Sequence, residues 1–161
     1  MELRTILVPV DGSAHAWRAV EVAADLASRY GARVVIVSAL LQGEVPAHIR
    51  KLSELDEPDE PSVGAGGAFV ASSIPPSVLR DIAQKLVDRA REYFEAQGVA
   101  KVEQHIEDGS PAQVILDQAE HHEADMIVMG TRGLGTLQGL LTGSVSHKVQ
   151  QLARCIVVTV N

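Results

Sequence analysis

The chain alternates between two hydrophobic periods. Thr5-Ile6-Leu7-Val8-Pro9-Val10, Arg33 to Leu40, Met126-Ile127-Val128-Met129 and Cys155 to Val160 are short, nearly continuous apolar runs rich in β-branched residues. Such runs predict strands covered on both faces. Between them, apolar residues recur at helical spacing: Val20, Ala23, Leu26 and Ala27; Leu79, Ile82, Leu86, Ala90 and Phe94; Ile115, Leu116 and Ala119; Val145, Val149, Leu152 and Ala153. Each set places one apolar stripe toward a core. Lys101 to Glu107 alternates polar with mostly apolar residues, which predicts a strand with one wet face at a sheet edge.

Punctuation agrees with the periods. Ser13 is placed to cap the first helix and Gly31 to end it. Pro75-Pro76-Ser77 opens the second and Gly98 closes it, with Asp81 to Lys85 and Arg91 to Glu95 as surface pairs. Ser110-Pro111-Ala112-Gln113 reads as a capping box with proline at the first helical position. Ser144 is the expected cap of the last helix, and Pro9 is expected to end the ladder of the first strand. Strands alternating with helices imply a parallel sheet with helices on both faces and right-handed crossovers. From Leu41 to Ile74 the pattern lapses. Acids at Glu54, Asp56, Glu57, Asp59 and Glu60 precede a glycine run, which reads as an acidic, Gly- and Pro-rich insertion, with one or two helical turns at His48 to Leu52.

Composition narrows the class. At 161 residues and 46% hydrophobic, residues 1–161 are expected to form one α/β domain. The start lacks a signal pattern, no stretch approaches membrane-spanning length, and Cys155 is the one cysteine. A cytoplasmic location without a membrane partner is the expectation, with Cys155 a packed thiol. The formal net charge is −7, yet from Met126 onward there are three basic residues, Arg132, Lys148 and Arg154, and no acid. That polarity suggests a local anion site and disfavours nucleic acid.

The candidate chemistry follows the fourth strand: Gly130-Thr131-Arg132-Gly133, nine residues, then Gly143-Ser144-Val145 at a helix start. Glycines allow close approach, and a first turn without Asp or Glu leaves its N–H groups for an external anion. The segment is not a Walker A loop, since the phosphate-cradling lysine is missing. It is not a dinucleotide fingerprint, since no acid follows to hold a ribose. A receiver domain would need clustered acids after the first strand. A flavin site would need a hydroxyl-rich loop where Asp11-Gly12-Ser13-Ala14 stands. Adjacent histidines, as at His121 and His122, point apart on a helix. His15, His48, His105 and His147 show no ligand spacing, so no metal site is expected. Asp11, at the carboxyl end of the first strand, suits either a ribose hydroxyl or the local N–H groups of the following helix.

The spacing G-x-x-G, nine residues, G-S resembles the nucleotide-binding signature of the universal stress protein family, in its ATP-binding branch. The resemblance extends to Ile6 through Ser13, to Asp108-Gly109-Ser110-Pro111, and to Asp125 through Ser144, leaving only residues 41–74 unmatched. It implies a doubly wound five-stranded parallel sheet of strand order 3-2-1-4-5. It implies that Pro9, Val10 and Asp11 line the adenosine end, with Asp11 accepting from the ribose, and that Ala39 or Leu40 packs on adenine. Met129 and Gly130 would border base and sugar, while Arg132, Gly133, Gly143, Ser144 and Val145 would hold the phosphates. The implied ligand is ATP, with Mg2+ as an optional companion, and the implied role is a regulatory stress-response protein whose bound state a partner protein senses, with slow or no hydrolysis. The alternative is an ATPase or nucleotidyl transferase using the same pocket, with carboxylates from the Glu54 to Glu60 cluster. The uncharged strand from residue 155 to 160 is expected to join a homodimer, as family members often do.

Overall fold

The computed structural model describes residues 2–40, 75–132 and 143–161. The expected insertion at 41–74, with its helical turns and acidic cluster, and Gly133 lie outside the described residues. The described elements are β1 (Thr5–Pro9), α1 (Ala14–Tyr30), β2 (Arg33–Leu40), α2 (Pro76–Ala96), β3 (Val102–Asp108), α3 (Pro111–His121), β4 (Met126–Gly130), α4 (Ser144–Leu152) and β5 (Ile156–Val160).

The strands form one parallel sheet in the order β3-β2-β1-β4-β5. Strand alternation divides its side chains between two cores. Ile6, Val8, Val34, Ile36 and Val128 face α1 and α2, which contribute Ala19, Val20, Ala23, Val87, Ala90 and Phe94. Leu7, Val35, Val37, Ile127 and Met129 face α3 and α4, which contribute Ala112, Ile115, Ala119 and Val149. The central strands therefore need apolar residues at every position, which is why their sequences read as unbroken runs. Trp17 of α1 meets Tyr93 of α2 edge-on at 5.4 Å, and the Arg89 guanidinium lies 4.3 Å from the Trp17 ring, bracketing the two helices together.

Helix ends follow local chemistry. Ser13 Oγ accepts the Ala16 N–H at 3.1 Å, and Gly31 ends α1 at φ 66°, a left-handed conformation that glycine adopts without a Cβ penalty. Two expected caps differ. Ser110 stands at the cap of α3 with no side-chain cap bond, and Gln113 bonds Asp117 instead of reaching back. Gly143, not Ser144, caps α4; its φ of −73° and ψ of 152° are extended, and Ser144 is already helical. The Gly143 N–H is drawn to the Thr131 carbonyl at 2.8 Å, which starts the helix one residue earlier than a hydroxyl cap would.

Arg91 pairs with Glu95 at 2.8 Å, whereas among the described residues no ion pair joins Asp81 and Lys85. The edge strand β3 has no fully wet face: Val102 and Ile106 pack on the α1/α2 core, and His105 on the other face is half-buried. Burial of the half-covered Cys155 pushes its thiol up from the usual range, as a packed, unreactive sulfur requires.

Candidate functional site

Chain order reverses between β1 and β4, because β2 and β3 follow on one side of β1 while β4 and β5 lie on the other. Beyond the carboxyl ends of such neighbours the connecting loops diverge and leave a crevice. The loops after β1 and β4 meet at this rim. Ser13 Oγ donates to the Arg132 carbonyl at 3.4 Å, a long contact that nevertheless spans 119 residues of chain. Gly130 packs directly on the first turn of α1. A Cβ there would lie 2.8 Å from both the carbonyl carbon and Cβ of His15, so only glycine fits.

Thr131 is the hub of the second loop. Its N–H donates to the Val160 carbonyl at 2.8 Å, and its hydroxyl donates to Asn161 Oδ1 at 3.2 Å. Its carbonyl accepts from Gly143 N–H at 2.8 Å and from Ser146 Oγ at 2.8 Å. Ser146 Oγ also lies 3.0 Å from the Gly143 carbonyl, so its single proton is shared between the two oxygens. These bonds fix the start of α4 against the end of β4. Neither Thr131 nor Ser146 was legible as a site former, although a serine three residues after the cap is a signal for such a local bond.

The expected site residues fall into three groups. Asp11, Arg132, Gly143 and Ser144 gather on the loops and helix start at the β1/β4 rim. Asp11 Oδ1 accepts the Ser13 N–H at 2.9 Å, so it does act locally on the helix start, and its carboxylate has capacity for several such bonds. Pro9, Gly130, Ala39 and Leu40 end their strands at the same rim, half-buried, with the Leu40 carbonyl accepting from Gly109 N–H at 3.0 Å. Val10, Met129 and Val145 belong to the cores beneath it. Val10 is buried toward α1 and α2, its N–H bound to the Val37 carbonyl at 2.8 Å, while Met129 is buried toward α3 and α4, where half-buried Val145 also packs.

Two features give the rim an appetite for negative charge. No side chain caps α4 and its first turn holds no acid, so the partial positive charge of its N-terminus is uncompensated by the described residues. Arg132 Nε is buried and has no hydrogen-bond partner among the described residues. A buried guanidinium nitrogen without an acceptor is unfavourable, and a phosphate oxygen would supply one. The residues present thus fit a phosphorylated ligand.

A family model described as the universal stress protein family matches residues 2–161. The chain belongs to the universal stress protein family. A universal stress protein of Thermus aquaticus, from the QAH/OAS sulfhydrylase 3′ region, is 36% identical over 157 residues, covering 98% of each chain. Among solved structures, a universal stress protein in complex with cAMP aligns with a TM-score of 0.68 at 22% identity, covering 100% of this chain and 98% of that one. The universal stress protein of Archaeoglobus fulgidus in complex with dAMP aligns with a TM-score of 0.64 at 23% identity over the whole of both chains. The universal stress fold is thereby shared. Among the described residues no helix is long and apolar enough to cross a membrane.

Proposed function

We propose that this universal stress protein is a single nucleotide-binding domain with an inserted segment at 41–74, a cytoplasmic regulator that binds ATP at the β1/β4 rim. Its nucleotide-bound state is read by a partner protein, and hydrolysis is slow or absent. The observations that carry the reading are the buried Arg132 Nε, without a hydrogen-bond partner among the described residues, and the start of α4, which has no side-chain cap bond. Adenine as the base is supported by two structural relatives bound to adenine nucleotides, cAMP and dAMP.

Arg132, Gly133, Gly143, Ser144 and Val145 hold the phosphates, through backbone N–H groups, the Ser144 hydroxyl and the guanidinium. Asp11, with Pro9 and Val10, serves the ribose end; Ala39 or Leu40, Met129 and Gly130 border the base and sugar. Where Mg2+ accompanies ATP, it would neutralise phosphate charge. Phosphoryl transfer needs a group to position the nucleophile. Asp11, at the ribose end and bound to Ser13 N–H, is poorly placed for that task.

The test is calorimetric titration of the full chain with ATP. Wild type is expected to bind one equivalent, and Arg132→Ala at least about tenfold more weakly, as loss of a charge-assisted bond predicts. No binding by wild type, or an unchanged affinity in Arg132→Ala, overturns the reading. Rapid phosphate release in a single turnover with Mg2+ would instead support the ATPase alternative.

A further inference from the structure

A second cluster of ligating groups lies on the sheet edge away from the nucleotide rim. Glu103 and His105 stand two residues apart on β3 and share a face. Their register partners, Val35 and Val37, belong to the core covered by α3 and α4. His122, at the C-terminal cap of α3, reaches the same face: its ring centroid is 4.7 Å from that of His105, and its Nδ1 is 3.8 Å from Glu103 Oε2. One nitrogen from each histidine and one Glu103 oxygen lie within 4.8 Å of one another.

The polar accounting of this cluster is incomplete as it stands. The Nε2 atoms of His105 and His122 are both buried and lack a hydrogen-bond partner among the described residues, and the His122 side chain is only 9% exposed. It is the Nδ1 of His122 that faces the Glu103 carboxylate, and a metal ion held among the three side chains would take one nitrogen from each imidazole.

We propose that Glu103, His105 and His122 form a binding site for a divalent transition metal of the zinc class. Two imidazoles and one carboxylate are a known zinc donor set, which leaves a fourth position for water or an exogenous ligand. Tetrahedral ligands at zinc bond lengths sit roughly 3.3 Å apart, so the groups must draw together slightly. Glu103, 45% exposed, has the length to do so.

Outer contacts are already in place. Arg33 Nη1 holds the other Glu103 oxygen at 3.0 Å, and Arg33 Nη2 donates to the His122 carbonyl at 2.9 Å, fixing two of the three ligating residues. His122 also lines a cavity of about 440 Å3 with Arg4, Arg33, Lys101 and Glu123, so one of the three ligating residues borders open space. The neighbouring His121 ring lies edge-on to His122 at 4.9 Å and is outside the ligand set. Histidine spacing gave no hint of this site, because two ligands come from a strand and the third from a helix end packed beside it.

Tag-free full-length protein, stripped with chelator, is titrated with Zn2+ against a chromophoric competitor. One equivalent is expected to bind at submicromolar Kd, with His105→Gln and Glu103→Gln weakening it at least about tenfold and His121→Gln leaving it unchanged. Co2+ is expected to give a visible d–d absorption that changes in Glu103→Gln. Should His122→Asn fail to fold, His105→Gln on the edge strand decides, checked by an unaltered circular dichroism spectrum. Substoichiometric binding, or affinity undiminished in His105→Gln, overturns the proposal.

Discussion

Asp125 shows how much one side chain settles at the opposite rim from the proposed nucleotide site. Its Oδ2 accepts the Arg4 N–H at 2.8 Å and the Thr5 N–H at 2.9 Å, while its own N–H donates to the Thr5 carbonyl at 3.0 Å. Its carbonyl accepts from Ile156 N–H at 3.2 Å, so a single residue aligns the starts of β1, β4 and β5. The Arg4 N–H foremost, with Thr5 N–H helping against partial burial, holds the carboxyl below the ordinary carboxylate range. A carboxylate depressed in the folded state stabilises fully above its unfolded pKa of about 3.9, and the contribution disappears as pH falls through the folded value. Asp125→Asn is expected to lose about 1 kcal/mol near neutrality, after discounting for solvent. In urea unfolding, the gap from wild type should close below about pH 4; a gap that persists in acid would show the charge to be irrelevant.

At the scale of elements, helix starts divide into those that the chain satisfies itself and those that it leaves open. α1 is closed by the Ser13 hydroxyl, whereas α3 and α4 carry no side-chain cap bond. Ser13→Ala is therefore expected to destabilise by about 1 kcal/mol or more, since it removes a cap, and Ser110→Ala by only a few tenths. Equal losses in thermal unfolding would contradict this division. The strands and helices were legible because periodicity is repeated over many residues and survives local exceptions. The alternation pointed to a parallel sheet, but its order came from the family resemblance, since no local pattern records which strands are neighbours. The cap at Gly143, the Thr131 hub and the meeting of His122 with His105 were not legible, because each is decided by a contact between segments distant in sequence. Gly130 was legible as a position of close approach, but its close neighbour within the fold, the His15 backbone, was not.

For the whole molecule, the two sheet edges are unequal, and that inequality bears on assembly. β3 carries Glu103, Glu107 and Asp108, and charges on an edge discourage pairing with another sheet. β5 carries none, and beside its start Leu152 and Ile156 are 56% and 39% exposed. The β5 edge is thus the surface through which the proposed homodimer would form, extending or packing the sheet against a second copy. Burying two such side chains contributes roughly 1.5 kcal/mol or more apiece, each about a factor of ten in dissociation constant. Leu152→Glu combined with Ile156→Glu is accordingly expected to raise the dimer dissociation constant at least about a hundredfold. Sedimentation equilibrium at micromolar concentration should then show a dimer for wild type and a monomer for the variant. Both residues are surface positions of the folded chain, so their replacement should leave the unfolding midpoint of the monomer nearly unchanged. A monomeric wild type would mean that the uncharged edge is closed from within the chain, and a dimer insensitive to both changes would move the interface elsewhere.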